Sequence, residues 1–520
     1  MKGPKHIDLD PGQVDALLKR VKALLPDEDY QIIKAMADTI YLLSQNVNAK
    51  STSIRRLLKM LFGAATEKLA TLDDHPKKAF GEKPKPEKKG HGRNSAQAYT
   101  SAEKVTIAHA SLKAGDDCPA CITGKVYVMK IPKRVVRITG NAPLSGTVYE
   151  MQRLRCNLCG EIFTADTPKE MGEDKYDAKA NTMIALLKYG SGMPFNRLED
   201  LQQSLGVPLP ASTQFEIVDQ MAATIEPVYQ ALMRKAAQGD VIRNDDTTMK
   251  VLSLMKENKN DDPERKGIFT TGILSTTETR KIALFITGRQ HAGENLNDLL
   301  KQRIDRGPPI QMCDALSRNT PAALKTILSN CLAHGRRKFV DVIQSFPQEC
   351  RHVLETLAGV YKNDQIAKEQ NMNADERLHF HQQNSGPLME NLKDWFHQQL
   401  EQKTVEPNSG LGQAIGYMLN HWPALTLFLK VPNAPLDNNL CEQALKKAIL
   451  HRKNALFYKT EHGARVGDLF MSLIHTCNLA GANPFDYLTA LQQNAADLSN
   501  HPDKWMPWNY TAAASHSKNT

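Results

Sequence analysis

Apolar residues recur at every third and fourth position between residues 12 and 73. The segments YQIIKAMADTIYLLSQNV and SIRRLLKMLFGAATEKLATL both show this spacing, which is typical of amphipathic helices. A long amphipathic pair of this kind favours a coiled-coil or oligomerisation arm. We therefore predict an N-terminal helical region, used for oligomerisation, over residues 1–73.

The helical period returns between residues 176 and 236. The segment FNRLEDLQQSLGVPLPASTQFEIVDQMAATI contains a helix, a Gly-Val-Pro-Leu-Pro turn and a second helix that opens at Ser212 or Thr213. This outline predicts a helix-turn-helix-like helical domain over residues 171–238, although any two hairpin helices have a similar pattern.

The spacing of apolar residues changes between residues 240 and 316. The segments DVIRNDDTTMKVL, KGIFTTGILST and TRKIALFITG are rich in Val, Ile, Thr and Phe and predict three successive antiparallel strands. A helix, GENLNDLLKQRI, and a fourth short strand, PPIQMCDA, follow. Three strands, a helix and another strand predict the first part of a ribonuclease-H-like α/β core, over residues 239–335.

Residues 334 to 430 are helical again, and this stretch predicts an all-helical insertion over residues 336–430. The expected helix breaks lie near four residues: Pro347, Asn373, Gly386 and Pro407. The core resumes over residues 431–493, and residues 494–520 are assigned to a C-terminal tail.

Composition and charge narrow the class of protein. The chain is 41% hydrophobic and 24% charged, which is ordinary for a soluble globular protein. Neither an apolar run of roughly 20 residues nor a signal-peptide core is found, so we expect a cytoplasmic protein. The net charge of +9 is uneven, with seven basic and two acidic residues between positions 77 and 93. This predicts a basic linker over residues 74–105, either a solvated spacer or a tether for nucleic-acid backbone.

Four of the nine cysteines form two C-x-x-C pairs. They are Cys118 with Cys121 and Cys156 with Cys159. Four thiolates so spaced predict a closed structural zinc site in a ribbon over residues 106–170, and the alternative is four unrelated buried cysteines. A cytosolic chain argues against disulfides. The predicted fold class is therefore multidomain α+β: N-terminal helices, a zinc ribbon and a helix-turn-helix-like domain precede a ribonuclease-H-like α/β core with an all-helical insertion.

Three acidic residues are candidates for a metal site. Asp245 and Asp314 end the first and fourth predicted strands, and Glu442 begins a late helix. Converging carboxylates require cations, and a pair of magnesium ions could support phosphoryl transfer. The alternatives stay open at this point. Asp245 or the adjacent Asp246 could cap a turn, and Asn439 with Glu442 fits a capping box.

The segment NNLCEQALKKAILHRKNALFYKTEHGARVGDLFMSLIHTCNLAGANPFDYL, residues 438–488, closely resembles the C-terminal signature of the insertion sequence 66 family of DDE transposases. Other blocks resemble the family in order: LFGAATEKL, GHGR, the two cysteine pairs, NDDTTMKVL and CLAHGRRKF. Two departures exist. The block QMCDALSRN lacks an Asp-Gly-Tyr-like run, and Lys446 stands where the family more often carries arginine.

The resemblance implies that Asp245, Asp314 and Glu442 are catalytic and hold two Mg²⁺ or Mn²⁺ ions, with one structural Zn²⁺ on the four paired cysteines. It implies nicking at transposon ends, followed by attack of the freed 3′-hydroxyl on target DNA. An oligomer, a nucleoid-associated location and small accessory proteins of the same element are expected with it. The candidate DNA-binding residues are Arg452, Lys453, Lys446, Arg336 and Arg337.

Three alternatives remain after the resemblance. Cys331 and His334 form a C-x-x-H pair similar to a feature of several transposase groups, but a buried cysteine and a hydrogen-bonded core histidine would look the same. The zinc ribbon and helix-turn-helix would also suffice for a non-catalytic DNA-binding protein. A ribonuclease-H-type endonuclease with another substrate is the third possibility.

Overall fold

The computed structural model of the chain describes residues 174–517, apart from 261–264, 278 and 305–306, and shorter stretches at 18–22, 29–31, 33–34, 110–117, 119, 125–128, 142–155, 162–166 and 168. The chain divides into two compact units, residues 1–137 and 138–520. In the first unit residues 18–22 are helical, as the sequence predicts. The basic linker and the four paired cysteines lie outside the described residues, so both stay predictions.

Two short strands open the described part of the second unit. Strands β1 (Arg153–Arg155) and β2 (Ile162–Thr164) are antiparallel and pair Leu154 with Phe163. This hairpin lies within the residues predicted as the ribbon, and Cys156 and Cys159 fall between its strands in the sequence.

Among the described residues of the second unit, three α-helices precede the main sheet: α1 (Ala178–Ala185), α2 (Phe195–Ser204) and α3 (Ala211–Ala236). The predicted hairpin of α2 and α3 is present, and α3 begins one residue before the earliest predicted start. Gly206 in the turn has φ of +75°, which glycine adopts without steric cost. Apolar residues along α3 are buried, including Val218, Ile225 and Leu232. Helix α3 is therefore part of the core, and a DNA-binding role for this hairpin stays a prediction.

A five-stranded mixed sheet forms the centre of the second unit, so the mixed α+β class is confirmed. Its strands are β3 (Val241–Thr248), β4 (Phe269–Thr276), β5 (Lys281–Gly288), β6 (Ile310–Cys313) and β7 (Ile327–Asn330), in the order β5-β4-β3-β6-β7. Neighbours within β3–β5 are antiparallel, whereas β6 and β7 continue parallel to β3. The four predicted strands and the helix α5 (Ala292–Leu300) are confirmed. The structure adds β7 and a helix α4 (Leu252–Asn260), which the sequence did not predict.

The helical residues that follow the sheet break where the sequence predicts. The helices are α6 (Leu332–Val342), α7 (Pro347–Glu369), α8 (Ala374–Asn384), α9 (Gly386–Glu401), α10 (Gly410–Asn420) and α11 (Trp422–Leu425). Pro347 occupies the first turn of α7, where its missing N–H costs nothing. Asn373 caps α8 by accepting hydrogen bonds from the Asp375 and Glu376 amides.

Five helices complete the chain: α12 (Asn439–Ala455), α13 (Glu461–Ala480), α14 (Pro484–Gln493), α15 (Ala495–Asn500) and α16 (Tyr510–Ser517). Residues beyond 494, assigned to a tail, pack against the core: Trp505 is fully buried, and its carbonyl accepts a hydrogen bond from the Tyr487 hydroxyl (2.8 Å). Across the described ranges, no helix combines the length and the apolar character that crossing a bilayer requires.

Side chains of helix α13 accept hydrogen bonds from backbone amides of the edge strand β5. Three of its side chains, four residues apart, accept hydrogen bonds from alternate amides of β5: Asp468 from Thr287 (2.7 Å), Ser472 from Phe285 (2.9 Å) and Thr476 from Ala283 (3.1 Å). Unpaired edge amides invite association with other strands. The polar face of α13 therefore closes this edge while its apolar residues join the main core with α3 and the sheet.

Candidate active site

Asp245 and Asp314 lie at the ends of two neighbouring parallel strands. The register of β3 and β6 pairs Arg243 with Met312, so two further residues along each strand bring Asp245 beside Asp314. Neighbouring strands lie about 4.8 Å apart. Because side chains alternate along a strand, both carboxyl groups point to the same face of the sheet as Arg243 and Met312.

Asp246 points to the opposite face of the sheet, where it is already paired. Its Oδ2 lies 3.0 Å from His291 Nδ1 at the start of α5, and its Oδ1 accepts a hydrogen bond from Arg318 at 3.4 Å. The Asp246 side chain is only 2% exposed. The two adjacent aspartates thus have separate surroundings, and Asp245 is the one on the face of Asp314.

A buried network of amide side chains fixes the strand ends. The carbonyl oxygen of Asn319 accepts hydrogen bonds from Asn244 Nδ2 and Gln311 Nε2, both at 2.7 Å. Gln311 Nε2 also donates to Asn244 Oδ1 at 2.9 Å. The Asn319 side chain in turn donates to Asp314 Oδ1. Because these groups connect β3, β6 and the turn after β6, they restrict the position of Asp314 relative to β3.

Glu442 lies in the first turn of α12, whose beginning is attached to β3. The side chain of Asn438 donates from Nδ2 to the carbonyl oxygen of Asn244 (3.2 Å), one residue before Asp245. A capping box would pair the Asn439 amide with Glu442, but that amide donates to Asp437 Oδ1 (3.2 Å). The capping-box alternative is therefore wrong. Among the described residues, Glu442 Oε1 is buried without a hydrogen-bond partner.

Gly272 allows α12 to approach the strand that pairs with Asp245. Gly272 is the register partner of Asp245 across β3 and β4, so a side chain at either position would point to the same face. A Cβ atom on Gly272 would lie 2.9 Å from the Leu445 side chain of α12. The Cys441 thiol, next to Glu442, donates to the Gly272 carbonyl (3.3 Å). The helix that carries Glu442 therefore packs on the face that carries Asp245.

The three acids share one electrostatic environment. The pKa of Asp245 is raised from 3.8 to about 7, mainly by burial, while the hydrogen bond from the Asp246 amide opposes this rise. The negative charges of Asp314, Asp246 and Glu442 each add to the rise. A half-buried carboxyl group among other carboxylates attracts either a proton or a cation at neutral pH.

Cationic side chains lie on both helices that border the acids. Lys446 and Lys453 are exposed on α12, and Arg337 is exposed and Arg336 half-buried on α6. A cavity of about 230 Å³ has Asp314, His334, Arg337 and Lys338 in its lining. Anionic and cationic groups therefore meet at this cavity.

The guanidinium group of Arg452 contacts the protein through one of its nitrogens. Its NH1 donates to the hydroxyl of Thr247 (3.2 Å) and to the hydroxyl (2.6 Å) and carbonyl of Thr248. These contacts join the last turn of α12 to the end of β3.

Several residues of this site were missed by the sequence reasoning. Asn438 stands in the quoted Asn-Asn-x-x-Glu motif, so a signal for it was present. Gly272 and His291 have no local signal, because their roles depend on the strand register and on the packing of α12 and α5.

Comparisons with known proteins cover much of the chain. A model of the transposase IS66 family matches residues 175–466. Uncharacterized protein y4hP of Sinorhizobium fredii is 26% identical over 431 residues, which is 76% of this chain and 74% of that protein. Uncharacterized protein y4jD of the same organism is 33% identical over 190 residues, which is 36% of each chain.

The family match extends from α1 through the sheet and the helical residues to the first turns of α13. It covers both strand-end aspartates, Glu442 and more than half of the 520 residues. The resemblance drawn from the sequence is thereby confirmed, and the chain belongs to the IS66 family of transposases.

Proposed function

We propose that the chain is a DDE transposase of an insertion sequence, which binds transposon ends, cleaves DNA strands and joins them to target DNA. Asp245, Asp314 and Glu442 are the proposed catalytic residues. The observation that supports this most is the shared half-buried environment of the three acids, in which the pKa of Asp245 is raised to about 7. A carboxyl group with a strongly perturbed pKa, close to other carboxylates, is more frequent at functional sites than elsewhere.

We infer a ribonuclease-H-like core. The order β5-β4-β3-β6-β7 supports this inference, since three consecutive strands form an antiparallel meander and two parallel strands continue on the other side of β3. In open α/β sheets, ligands collect beyond the carboxyl ends of the parallel strands. Residues 336–430 would then be a helical insertion between the second and third acids.

The residues of the site fit divalent cations. Asp245, Asp314 and Glu442 offer only oxygen ligands, which suit magnesium or manganese. Glu442 Oε1 has no hydrogen-bond partner among the described residues, so the Glu442 carboxylate is available to ions. Bound there by the three carboxylates, such ions would supply activation of the attacking oxygen and stabilisation of the leaving oxygen of a phosphodiester.

The proposed chemistry has two steps. In the first, a water oxygen bonds to phosphorus, the bond from phosphorus to the 3′-oxygen breaks, and the strand ends in a 3′-hydroxyl and a 5′-phosphate. In the second, that 3′-hydroxyl attacks a target phosphodiester, and the 3′-oxygen of the target leaves. No protein side chain needs to act as nucleophile, so the contribution of the chain is mainly positioning.

We propose that Lys446, Lys453, Arg336, Arg337 and Arg452 bind the phosphates around the cleaved bond. The exposure of both lysines and of Arg337 supports this role. All hydrogen bonds described for Arg452 use NH1, so Arg452 would contact DNA through Nε or NH2 while it holds α12 to β3.

The remaining expectations complete the proposal. A zinc ion on Cys118, Cys121, Cys156 and Cys159 would stabilise a ribbon that contacts DNA, and the helix-turn-helix-like hairpin would contribute further. Two transposon ends must be brought together, so we expect a homo-oligomer that works on nucleoid DNA in the cytoplasm. Small accessory proteins of the same element are further expected partners.

A nicking assay tests the proposal. Full-length protein is incubated with a duplex that carries the terminal inverted repeat of the element, with and without Mg²⁺. We expect metal-dependent nicking and strand transfer. Asp245→Asn, Asp314→Asn and Glu442→Gln should each lower the nicking rate more than about 100-fold while DNA binding stays unchanged. Asp298→Asn, which changes an exposed aspartate of α5, is the matched control and should nick normally.

The outcomes separate the alternatives. Binding without nicking by the wild type and all variants points to a DNA-binding protein without catalysis. Nicking without any strand-transfer product points to an endonuclease. Nicking that survives Asp245→Asn contradicts the assignment of the first acid.

A further inference from the structure

A second group of candidate ligands lies next to the proposed catalytic acids. It consists of Cys331, His334 and Glu442, and one ligand atom from each lies within 4.8 Å of the other two. His334 Nδ1 is 3.9 Å from Glu442 Oε1, too far for a hydrogen bond. Cys331 and His334 come from one helix start and Glu442 from another.

Two of these atoms are buried and unsatisfied. Within the described part of the chain, neither His334 Nδ1 nor Glu442 Oε1 has a hydrogen-bond partner. Buried polar atoms are nearly always paired, and an unpaired one in a native structure calls for a ligand, an ion or a water. Because both unpaired atoms face the same space, a single ion there would satisfy them together.

The backbone around Cys331 is arranged for a bound sulfur. Cys331 is fully buried and caps α6, with His334 in the first turn of that helix. The Asn438 amide donates to Cys331 Sγ (3.3 Å), and the Leu332 amide donates to the Leu436 carbonyl (3.0 Å). These two bonds attach the segment before α12 to the start of α6. They hold Cys331 close to Glu442. Burial raises the pKa of the Cys331 thiol to about 11, and the hydrogen bond from the Asn438 amide opposes this rise.

The donor set selects the class of ion. A thiolate and an imidazole suit zinc and related transition metals, whereas magnesium prefers oxygen ligands alone. Bond lengths of about 2.0–2.3 Å to sulfur, nitrogen and oxygen place tetrahedral ligands about 3.3–3.8 Å apart. The observed separations exceed this by about an ångström or less, which small side-chain rotations can close.

We propose that Cys331 Sγ, His334 Nδ1 and Glu442 Oε1 bind a zinc-class divalent ion, with the fourth position left to water. On binding, the ion replaces the thiol proton of Cys331, which passes to solvent. Glu442 is then shared, since Oε1 belongs to this ion and Oε2 stays free for the proposed magnesium pair. The site is distinct from the predicted zinc ribbon, which uses four other cysteines.

Metal content measures the site directly. Full-length wild-type protein and variants are saturated with Zn²⁺, dialysed, and analysed for zinc per chain. Cys331→Ser, His334→Gln and Glu442→Gln should each retain one zinc fewer than the wild type. Their affinity for zinc should fall by more than roughly 10–100-fold, which is the cost of replacing a residue that only hydrogen-bonds to a metal ligand. Cys350→Ser, which changes another buried cysteine, should retain the wild-type amount.

Cobalt gives an independent spectroscopic readout. Metal-free protein titrated with Co²⁺ should develop a thiolate-to-cobalt absorption band whose intensity falls in Cys331→Ser and is unchanged in Cys350→Ser. Circular dichroism verifies that each variant is folded. The side chains of His334 and Glu442 are 26% and 28% exposed, so their variants should fold even if Cys331→Ser does not. Equal zinc content and equal cobalt spectra in the wild type and all folded site variants would overturn the proposal. A water molecule that bridges His334 Nδ1 and Glu442 Oε1 would then be the remaining explanation.

The consequence for strand cleavage rests on the proposed function. If zinc holds Glu442, added Zn²⁺ should alter the magnesium-dependent nicking rate of the wild type and have no effect on that of Cys331→Ser. Zinc content and cobalt spectra are measured without DNA. A wild-type protein that binds this zinc but does not nick DNA would refute the transposase mechanism and leave the metal site standing.

Discussion

Replacing Asp245 by asparagine should make the metal-free protein more stable at neutral and alkaline pH. Asparagine keeps the shape of the side chain, and its amide oxygen can still accept the hydrogen bond that the Asp246 amide now donates to Asp245 Oδ1 (2.8 Å). The substitution removes only the negative charge from a half-buried site. The prediction thus isolates the cost of holding that charge among other acids.

The magnitude follows from the pKa of Asp245, which rises from 3.8 to about 7 on folding. Each unit corresponds to about 1.4 kcal/mol, so ionising this group in the folded chain costs up to ~4 kcal/mol. The folded chain binds the proton more tightly than the unfolded chain. The proton on Asp245 therefore stabilises the folded chain fully below about pH 4, and this stabilisation is lost as the pH rises through about 7.

Urea denaturation of metal-free protein at pH 5 and at pH 8 measures this effect. The free energy of unfolding of Asp245→Asn, relative to the wild type, should increase by a few kcal/mol between the two pH values. Asp468 also has its pKa raised to about 7 by burial, but it is present in both proteins and cancels in the comparison. Adding Mg²⁺ at pH 8 should stabilise the wild type and leave Asp245→Asn unchanged, because a ligand stabilises only the state that binds it.

If the difference in free energy of unfolding between Asp245→Asn and the wild type is the same at pH 5 and pH 8, the reasoning is refuted. Such a result would show that Asp245 titrates near its ordinary value. Asp298→Asn provides the control. The hydrogen bonds from Lys301 and Gln290 lower the pKa of Asp298, so its replacement should not increase stability at pH 8.

Three further substitutions test how the site is assembled. Gly272→Ala places a Cβ atom 2.9 Å from Leu445, so we expect about 1–3 kcal/mol lower stability in urea denaturation and slower nicking, because α12 must move. Asn438→Ala leaves the buried Asn244 carbonyl without the amide donor of Asn438, which should lower the free energy of unfolding by about 1–3 kcal/mol. Unchanged stability would contradict the attachment of α12 to β3. Ser472→Ala removes the acceptor of the Phe285 amide on β5 and should lower stability by about 1–3 kcal/mol with no change in the nicking rate at saturating Mg²⁺.

Local signals account for the parts of the fold that the sequence predicted. The three antiparallel strands are rich in Val, Ile, Thr and Phe and are separated by polar turns, and these segments form β3, β4 and β5. The helix breaks at Pro347 and Asn373 follow from a missing amide and from a side chain that caps the next helix. Both effects act over a few residues, so they can be found without knowledge of the fold.

The elements that escaped prediction depend on distant contacts. Strand β7 has only four residues, and it is held by parallel pairing with β6. The capping box at Glu442 was a reasonable local hypothesis, yet Asp437 takes the Asn439 amide instead. The different surroundings of Asp245 and Asp246 similarly depend on His291 and Arg318, which contact Asp246 from far away in the sequence.

The position of the third acid depends on the whole length of α12 rather than on a local motif. Contacts along its length attach this helix to the sheet: Asn438 to Asn244 at its beginning, Cys441 and Leu445 against Gly272 in its middle, and Arg452 to Thr247 and Thr248 at its end. From Asn438 to Arg452 the helix rises about 21 Å, while the strand from Asn244 to Thr248 extends about 13 Å. Side chains at both ends of α12 therefore contact β3. Glu442 is thereby fixed next to the strand of Asp245, although 197 positions separate the two acids in the chain.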